Sequence, residues 1–426
     1  MKNIFCFFTV IMLLFQVSCR QAEHKNYTPE TYQNDTAEDT ISNDRQIINY
    51  TCMKAIWLSQ FDLYKVYTDN GSQRDISNYT EKIEQIICNI NQMSFNTIIL
   101  QVRPNCDSFY PSELFPPSKY AVGDYTKKFE YDPIRIILDI AHKYNISVQA
   151  WVNPYRCMNE NEIKQINDTF FIKKLYSDYD NSLVLYNGYY YLDPYYESNQ
   201  KLIKDGITEI LNNYNFDGIH IDDYFYPTSD CTFDEKSFKE YKEKGGLLNL
   251  ADFRRDNINK LVREIYNITK SFDKKLIFGI SPAGNIKNTY ENSFADIYTW
   301  CSDNTYIDYI SPQIYFGLHH QTHPFEKVLN NWADIIKTSD ISLIPGITLE
   351  KAYTKFDKWA GSGKNEWADN NDIIKKCIEL SLSNNKCNGI SFFSYQFFFD
   401  ITTNLRIKET YNEIENFMPL FLSMGN

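Results

Sequence analysis

The chain predicts an α/β fold, a (β/α)8 TIM barrel with long strand-to-helix loops. Three observations lead there. Eight short apolar runs recur between residues 51 and 426, each suited to a strand buried on both faces. Amphipathic helical stripes alternate with them. Links from helix to strand are brief, whereas the segments from strand to helix are long, and a barrel carries its site on such loops. A doubly wound open sheet gives a similar alternation, but the chain has neither GxGxxG nor a P-loop, and no cofactor is expected.

The predicted strands are Ala55–Leu58, Thr97–Val102, Ser147–Val152, Gly218–Asp222, Leu276–Ile280, Tyr309–Ile314, Ser342–Pro345 and Gly389–Phe393. Between them run helical stripes such as Ile83, Ile86, Ile87 and Ile90, then Ile134, Ile137, Leu138 and Ala141. The second stripe opens on Asp132-Pro133, an N-cap residue followed by proline at the first helical position. Later stripes centre on Ile203 and Ile207, Leu261 and Val262, Leu329 and Trp332, Ile374 and Cys377, and Ile414 and Phe417. A weaker one, Phe294, Ile297, Tyr298 and Cys301, precedes the sixth strand. Ser94-Phe95-Asn96 and Asn215-Phe216-Asp217 are typical short links; Arg103–Tyr131, Asn153–Asn199 and Tyr224–Leu250 are the long segments. Within the second, Asn187-Gly188 between two apolar-aromatic runs predicts a hairpin above the mouth of the barrel.

The amino terminus reads as an export signal over residues 1–18. Met1-Lys2 is basic, and the apolar run Ile4–Phe15 is too short to span a bilayer. Val17-Ser18-Cys19 resembles the lipobox of bacterial lipoproteins, which implies cleavage before Cys19 and lipid on its thiol; an ordinary secretory signal is the alternative. Residues 19–50 are polar and lack apolar periodicity, as expected of a tether, leaving residues 51–426 as the barrel. The expected location is outside the cytoplasm, held to the membrane by lipid alone.

Composition excludes several classes. Net charge is −12 with no basic run, which argues against nucleic acid as a partner. The ten cysteines form no CxxC pair and the six histidines lack zinc-ligand spacing, so no metal site is expected. The chain is rich in Tyr and Phe, but also in Asn, Ile and Lys, so only the position of an aromatic residue is informative.

The most informative stretch is FDGIHIDDYFYP, Phe216 to Pro227. An apolar strand runs into Asp222 and Asp223, and Tyr224, Phe225 and Tyr226 follow. Carboxylates beside rings at a strand end suit glycoside chemistry, which needs one carboxyl as acid and another as base or nucleophile. Capping of the next helix is the plainer alternative. Strand ends also deliver Trp57, Gln60, Gln101, Arg103, Trp151, Asn153, His220, Ser281, Gln313 and Tyr315, the candidate contacts to a polysaccharide substrate together with Tyr224. For Arg103 a loop-holding ion pair competes with that role, and for Trp57 burial does. Side chains alternate along a strand, so Asp222 and His220 share a direction and Asp223 turns away unless the strand has already ended. The partner of Asp222 must then come from another strand end. Glu350, just past the seventh strand, is the first candidate; Asp62, Asp107 and Glu113 are others.

Several long motifs resemble the glycosyl hydrolase-like family 10 lipoproteins. They are AIWLSQFD at 55–62, NTIILQVRPNCDSFYPSELFPPSKY at 96–120, VQAWVNPYR at 148–156, YYLDPYYESNQKLI at 190–203, FDGIHIDDYFYP at 216–227, GISPAGN at 279–285 and YIDYISPQIYFG at 306–317. The resemblance spans about Lys54 to Phe399 and implies an exported barrel acting on a polysaccharide, with cell-wall glycan a plausible target. A comparison with family 18 chitinases fails instructively. Asp217-Gly218 matches their fourth strand, but His220 replaces the first aspartate of their acidic ladder and Tyr224 replaces the proton-donating glutamate. A non-catalytic glycan-binding protein and a structural envelope protein remain as alternatives.

Overall fold

The computed structural model describes residues 46–223 and 225–425. The signal segment, Cys19, nearly all of the tether and Tyr224 lie outside the described residues. The eight apolar runs form one parallel ring: β1 (Met53–Leu58), β2 (Thr97–Arg103), β3 (Ser147–Val152), β4 (Gly218–Ile221), β5 (Ile277–Ile280), β6 (Tyr309–Ile310), β7 in two pieces (Ser342–Leu343 and Gly346–Thr348) and β8 (Gly389–Phe393). The two pieces of β7 close the ring, because the first pairs with β6 and the second with β8. Pro345 lies at the break, where its missing N–H interrupts the ladder. Its carbonyl still accepts from Ser391 N at 3.0 Å, and Ile344 N donates to Ile310 O at 2.9 Å.

Strand alternation sorts the core into two shells. Met53, Ala55, Trp57, Ile99, Trp151, Tyr309 and Ile344 fill the inside of the ring. Ile56, Leu58, Ile98, Leu100, Ile219 and Ile221 face the helices. Gly279 has a steric reason: a Cβ there would lie 2.0 Å from the Tyr309 ring, which occupies that inward space. Truncating an interior ring such as Trp57 to Ala costs about 3–5 kcal/mol.

The helices follow the stripes. Ile76–Gln92 is capped by Asp75, and Pro133–Lys143 by Asp132, whose carboxylate accepts from Ile134 N and Arg135 N. Between β5 and β6 the expected helix is two short ones, Ile286–Glu291 and Ile297–Trp300, parted by Phe294 at φ 54°. The predicted hairpin forms, with Leu183–Tyr186 against Tyr189–Leu192 and positive φ at both Asn187 and Gly188. Arg156–Asn159 adds a third strand on its other side, which alternation did not reveal. The described chain is packed from just before the expected start of the barrel. The compact unit begins at Ile47, and Ile48 N donates to Asp217 Oδ1 at 2.7 Å, beside the bond from Val148 N to Oδ2. Among the described residues no helix is long and apolar enough to cross a membrane.

One buried acid joins the last two helices. Glu413, on Tyr411–Ser423, accepts from Ile373 N and Ile374 N and so caps Ile373–Ser383. Burial pushes its carboxyl up to about 7, against the pull of those two N–H groups. A carboxyl raised above its unfolded value binds its proton more tightly when folded, so its contribution is full at low pH and is lost as pH rises from about 4.5 to about 7. Denaturant unfolding of wild type and Glu413→Gln across pH 4.5–8 should show wild type losing on the order of 3 kcal/mol relative to the variant over that window. A pH-independent difference would contradict this reading.

Candidate active site

The β4 ladder stops at Ile221, whose carbonyl takes the last bond from Ser281 N at 2.9 Å. Asp222 and Asp223 therefore lie beyond the strand, and strict alternation no longer drives them apart. Asp222 is 2% exposed, and its Oδ2 accepts from Trp151 Nε1 at 3.0 Å and Asn153 Nδ2 at 2.6 Å. The orientation of that second donor is fixed from a distance. Gln60 N can only donate, so it takes Gln101 Oε1 at 2.9 Å; Gln101 Nε2 then meets Asn153 Oδ1 at 2.9 Å. This leaves the Asn153 amide nitrogen facing Asp222. An indole N–H and an amide N–H on one oxygen call for an acceptor, which an ionised carboxylate supplies.

Asp223 has a different setting. It is half-buried; desolvation pushes its carboxyl above the ordinary range, while its own backbone N–H and the Gln313 side chain pull it back. Gln313 is itself held by a bond from Nε2 to Ser281 O at 3.0 Å. Tyr315 is stacked on Phe393 with ring centroids 5.9 Å apart. Its hydroxyl is pushed well up by burial, then by the fields of Asp223, Asp222 and Glu350 in that order. The fields of all three carboxylates thus reach one hydroxyl at the mouth of the ring. Glu350 stands at the end of β7, on Glu350–Thr354, with its side chain 46% exposed and Lys351 Nζ 3.7 Å away.

The other candidates fall elsewhere. His220 is wholly buried inside the ring beneath the acids, so it is not a substrate contact. Tyr309 donates to Gln149 Oε1, so His220 Nδ1 donates to the Tyr309 oxygen at 2.6 Å, and Nε2 accepts from Ser281 Oγ at 2.9 Å. Both ring nitrogens are used by a neutral imidazole, and burial pushes its pKa down to about 3. Trp57 is 2% exposed, edge-on to Trp151 and to His220, and is floor rather than stacking platform. Arg103 follows a register shift in β2, lies over Phe115 at 4.4 Å and presses on Gly206 of the outer helix Glu197–Asn213. It neither reaches the mouth nor forms an ion pair. Asp62 is saturated by Ser59, Ser394 and Gln396, Asp107 is bound by Asn105 N and Tyr125, and Glu113 is exposed beside Glu209. Of the four candidate partners, Asp62 and Asp107 are tied up by their donors and Glu113 is turned outward, which leaves Glu350 as the candidate.

Sequence reasoning missed Gln149, Tyr309 and Phe393. The signal was present: each lies on a barrel strand, and Gln149 is a polar residue at an inward position of an apolar run. Among the described residues no cluster of His, Cys, Asp and Glu could hold a metal ion.

Residues 52–360 match the model of the family Glycosyl hydrolase-like 10. The chain belongs to that family. It is similar to glycosyl hydrolase YngK of Bacillus subtilis (strain 168), 28% identical over 84% of this chain and 70% of that one. To glycosyl hydrolase DigH of Escherichia coli (strain K12) it is 28% identical, over 70% of this chain and 73% of the relative. The glycoside hydrolase domain of PgaB (BpsB) from Bordetella bronchiseptica superposes with a TM-score of 0.55 at 9% identity, covering 86% of this chain and 99% of that domain. The catalytic domain of a beta-amylase from Paenibacillus polymyxa also gives 0.55, at 8% identity over 86% and 98%. These two likenesses are of fold, and the fold is the barrel of glycoside hydrolases.

The amide relay has a consequence independent of turnover. Asn153→Asp sets a second carboxylate against Asp222, and two facing acids hold a shared proton up to higher pH. The sign follows: stability is kept at low pH and lost as pH rises. Asn153→Asp should lose roughly 2 kcal/mol more at pH 7.5 than at pH 4.5, as read by urea unfolding.

Proposed function

We propose that the protein is a glycoside hydrolase that acts on a polysaccharide through Asp222, Asp223 and Glu350. The observation that carries this reading is the pair of side-chain donors, Trp151 Nε1 and Asn153 Nδ2, aimed at Asp222 at the carboxyl end of the ring. Hydrolysis needs a proton for the departing oxygen and negative charge near the anomeric carbon. Asp223, with its carboxyl raised by burial, is the proton donor. Asp222, its oxygen met by two N–H donors, stays ionised and stabilises the oxocarbenium-like transition state. Glu350, three strands round the ring from β4, attacks or activates water, and the anomer released first distinguishes the two. Tyr315 keeps its proton and donates to a sugar oxygen or to a carboxylate.

Digestion of purified peptidoglycan and common polysaccharides, with products read by mass spectrometry, tests this. On the substrate found, Asp222→Asn, Asp223→Asn and Glu350→Gln should each lower kcat by roughly 10²-fold or more. An acid works only while protonated, so turnover should fall as pH rises through the Asp223 titration, and the residual activity of Asp223→Asn should lack that alkaline limb. Near-normal turnover by a folded Asp222→Asn sinks the assignment. Binding of glycan with no cleavage by wild type would make the protein a glycan-binding one.

We also propose export and lipid anchorage through Cys19, on the strength of the apolar run Ile4–Phe15 and the Val17-Ser18-Cys19 sequence. Globomycin, which blocks lipoprotein signal cleavage, should cause a precursor to accumulate. A mature protein that starts elsewhere and carries no lipid would overturn this.

A further inference from the structure

A groove of about 500 Å³ opens between the β3 insertion and the stretch Thr232 to Lys236 of the β4 loop. None of the three carboxylates lines it, yet both its borders leave the same end of the ring as Asp222 and Asp223. Tyr176 and Tyr190 pack edge to face at 5.7 Å within it, and Tyr179 stands at its lip.

Tyr179 is the anomaly. The helix Phe171–Ser177 ends in a Schellman turn, with Asp180 N bonded to Leu175 O at 3.0 Å and Tyr179 N to Tyr176 O at 3.3 Å. That geometry puts Tyr179 at the position after the cap, in the left-handed region at φ 53°, where glycine is the usual occupant. A bulky ring there costs free energy. Burial gives nothing back, because the residue is 91% exposed. A side chain that strains the backbone and packs on nothing contributes nothing to the fold, so its use lies outside the molecule.

We propose that this groove is an accessory glycan-binding site, with the Tyr179 ring stacking on a sugar face. The ligand class is a glycan chain without carboxylate or phosphate groups. Glu160, Asp180, Asp193, Asp234 and Glu235 line the groove; with Glu160 paired to Lys164 and Asp234 to Arg254, the acids still outnumber its one lysine, Lys236. An acidic chain meets like charge there, whereas hydroxyls and amines find acceptors. The flat apolar faces of sugars suit exposed tyrosine rings. This rests on the glycan-directed reading of the barrel and adds a second contact on the same face, which would hold a long polymer while its scissile bond lies at Asp222.

The test compares wild type with Tyr179→Gly, using cellohexaose, a chitosan hexamer and an alginate hexamer as neutral, amine-bearing and acidic probes in calorimetric titrations. Tyr179→Gly should melt at the same temperature or higher, because glycine relieves the turn. Its affinity for cellohexaose or for the chitosan hexamer should fall at least fivefold, and alginate should bind neither protein. Unchanged affinity, no binding of the two non-acidic probes, equal binding of alginate, or a melting temperature lowered by several degrees would each overturn the proposal. Failure here is separable from failure of the hydrolase reading, because turnover lost in Asp222→Asn reports only on the mouth of the barrel.

Discussion

The contact between Trp57 and Trp151 inside the ring is the interaction on which the mouth depends. A closed ring of parallel strands points only alternate side chains inward, and each inward layer must be filled. Trp57 lies edge-on to Trp151 at 4.9 Å and to His220 at 4.7 Å, and His220 stacks on Tyr309 at 5.7 Å. This aromatic layer fixes the tilt of the Trp151 indole, and the indole N–H ends on Asp222. Core packing thus becomes site geometry. Gln149, Tyr309, His220 and Ser281 form one chain of hydrogen bonds along the layer, while the Trp57 indole N–H and the Gln149 amide nitrogen are left without a partner among the described residues. A buried neutral imidazole is tolerated because each of its nitrogens has a partner of the right kind.

Much of this was legible in the sequence, for a physical reason. All eight strands could be found because a strand buried on both faces reads as an unbroken apolar run, and the helices because one apolar stripe must face the ring. Asp222 was legible as the first polar residue after such a run. What alternation could not supply was height and interruption. It gave His220 and Trp57 the right direction, inward, but not their depth below the mouth. At Arg103 the register shift in β2 turned a side chain counted as inward over Phe115 and under the outer helix. At Asp223 the end of the ladder one residue earlier than expected kept a side chain near the site that strict period two would have sent away.

The acidic residues show how burial alone misleads. Asp62, Asp107 and Asp222 are all nearly inaccessible, and for Asp62 and Asp107 desolvation works against the charged form. Their donors separate them. Those on Asp62 include backbone N–H groups of Ser59 and Gln396, so it ties the start of the Gln60–Tyr67 helix to the segment after β8. The donors on Asp222 include two side chains at the end of β3, one of them aligned by the Gln101 amide of β2 and, through it, by the backbone N–H of Gln60. Asp62 is built into the backbone; Asp222 is aimed.

The loop that leaves β4 must hold Asp223 steady without a strand to do it. Arg254, on the helix Leu250–Phe272, supplies the restraint from behind: its guanidinium makes paired bonds to Asp234 and a third to Asp230 O, between the rings of Tyr226 and Phe294. Both charges are fully buried, so the pair adds little net stability over an apolar equivalent but makes any displacement of the loop expensive, since displacement leaves a buried charge unpaired. Two adjacent acids beyond the end of a strand keep a fixed geometry only if the loop that carries them is stiff. Tyr179, at the lip of the groove, has the opposite design: a ring held away from the protein, where the proposed glycan chain would meet it.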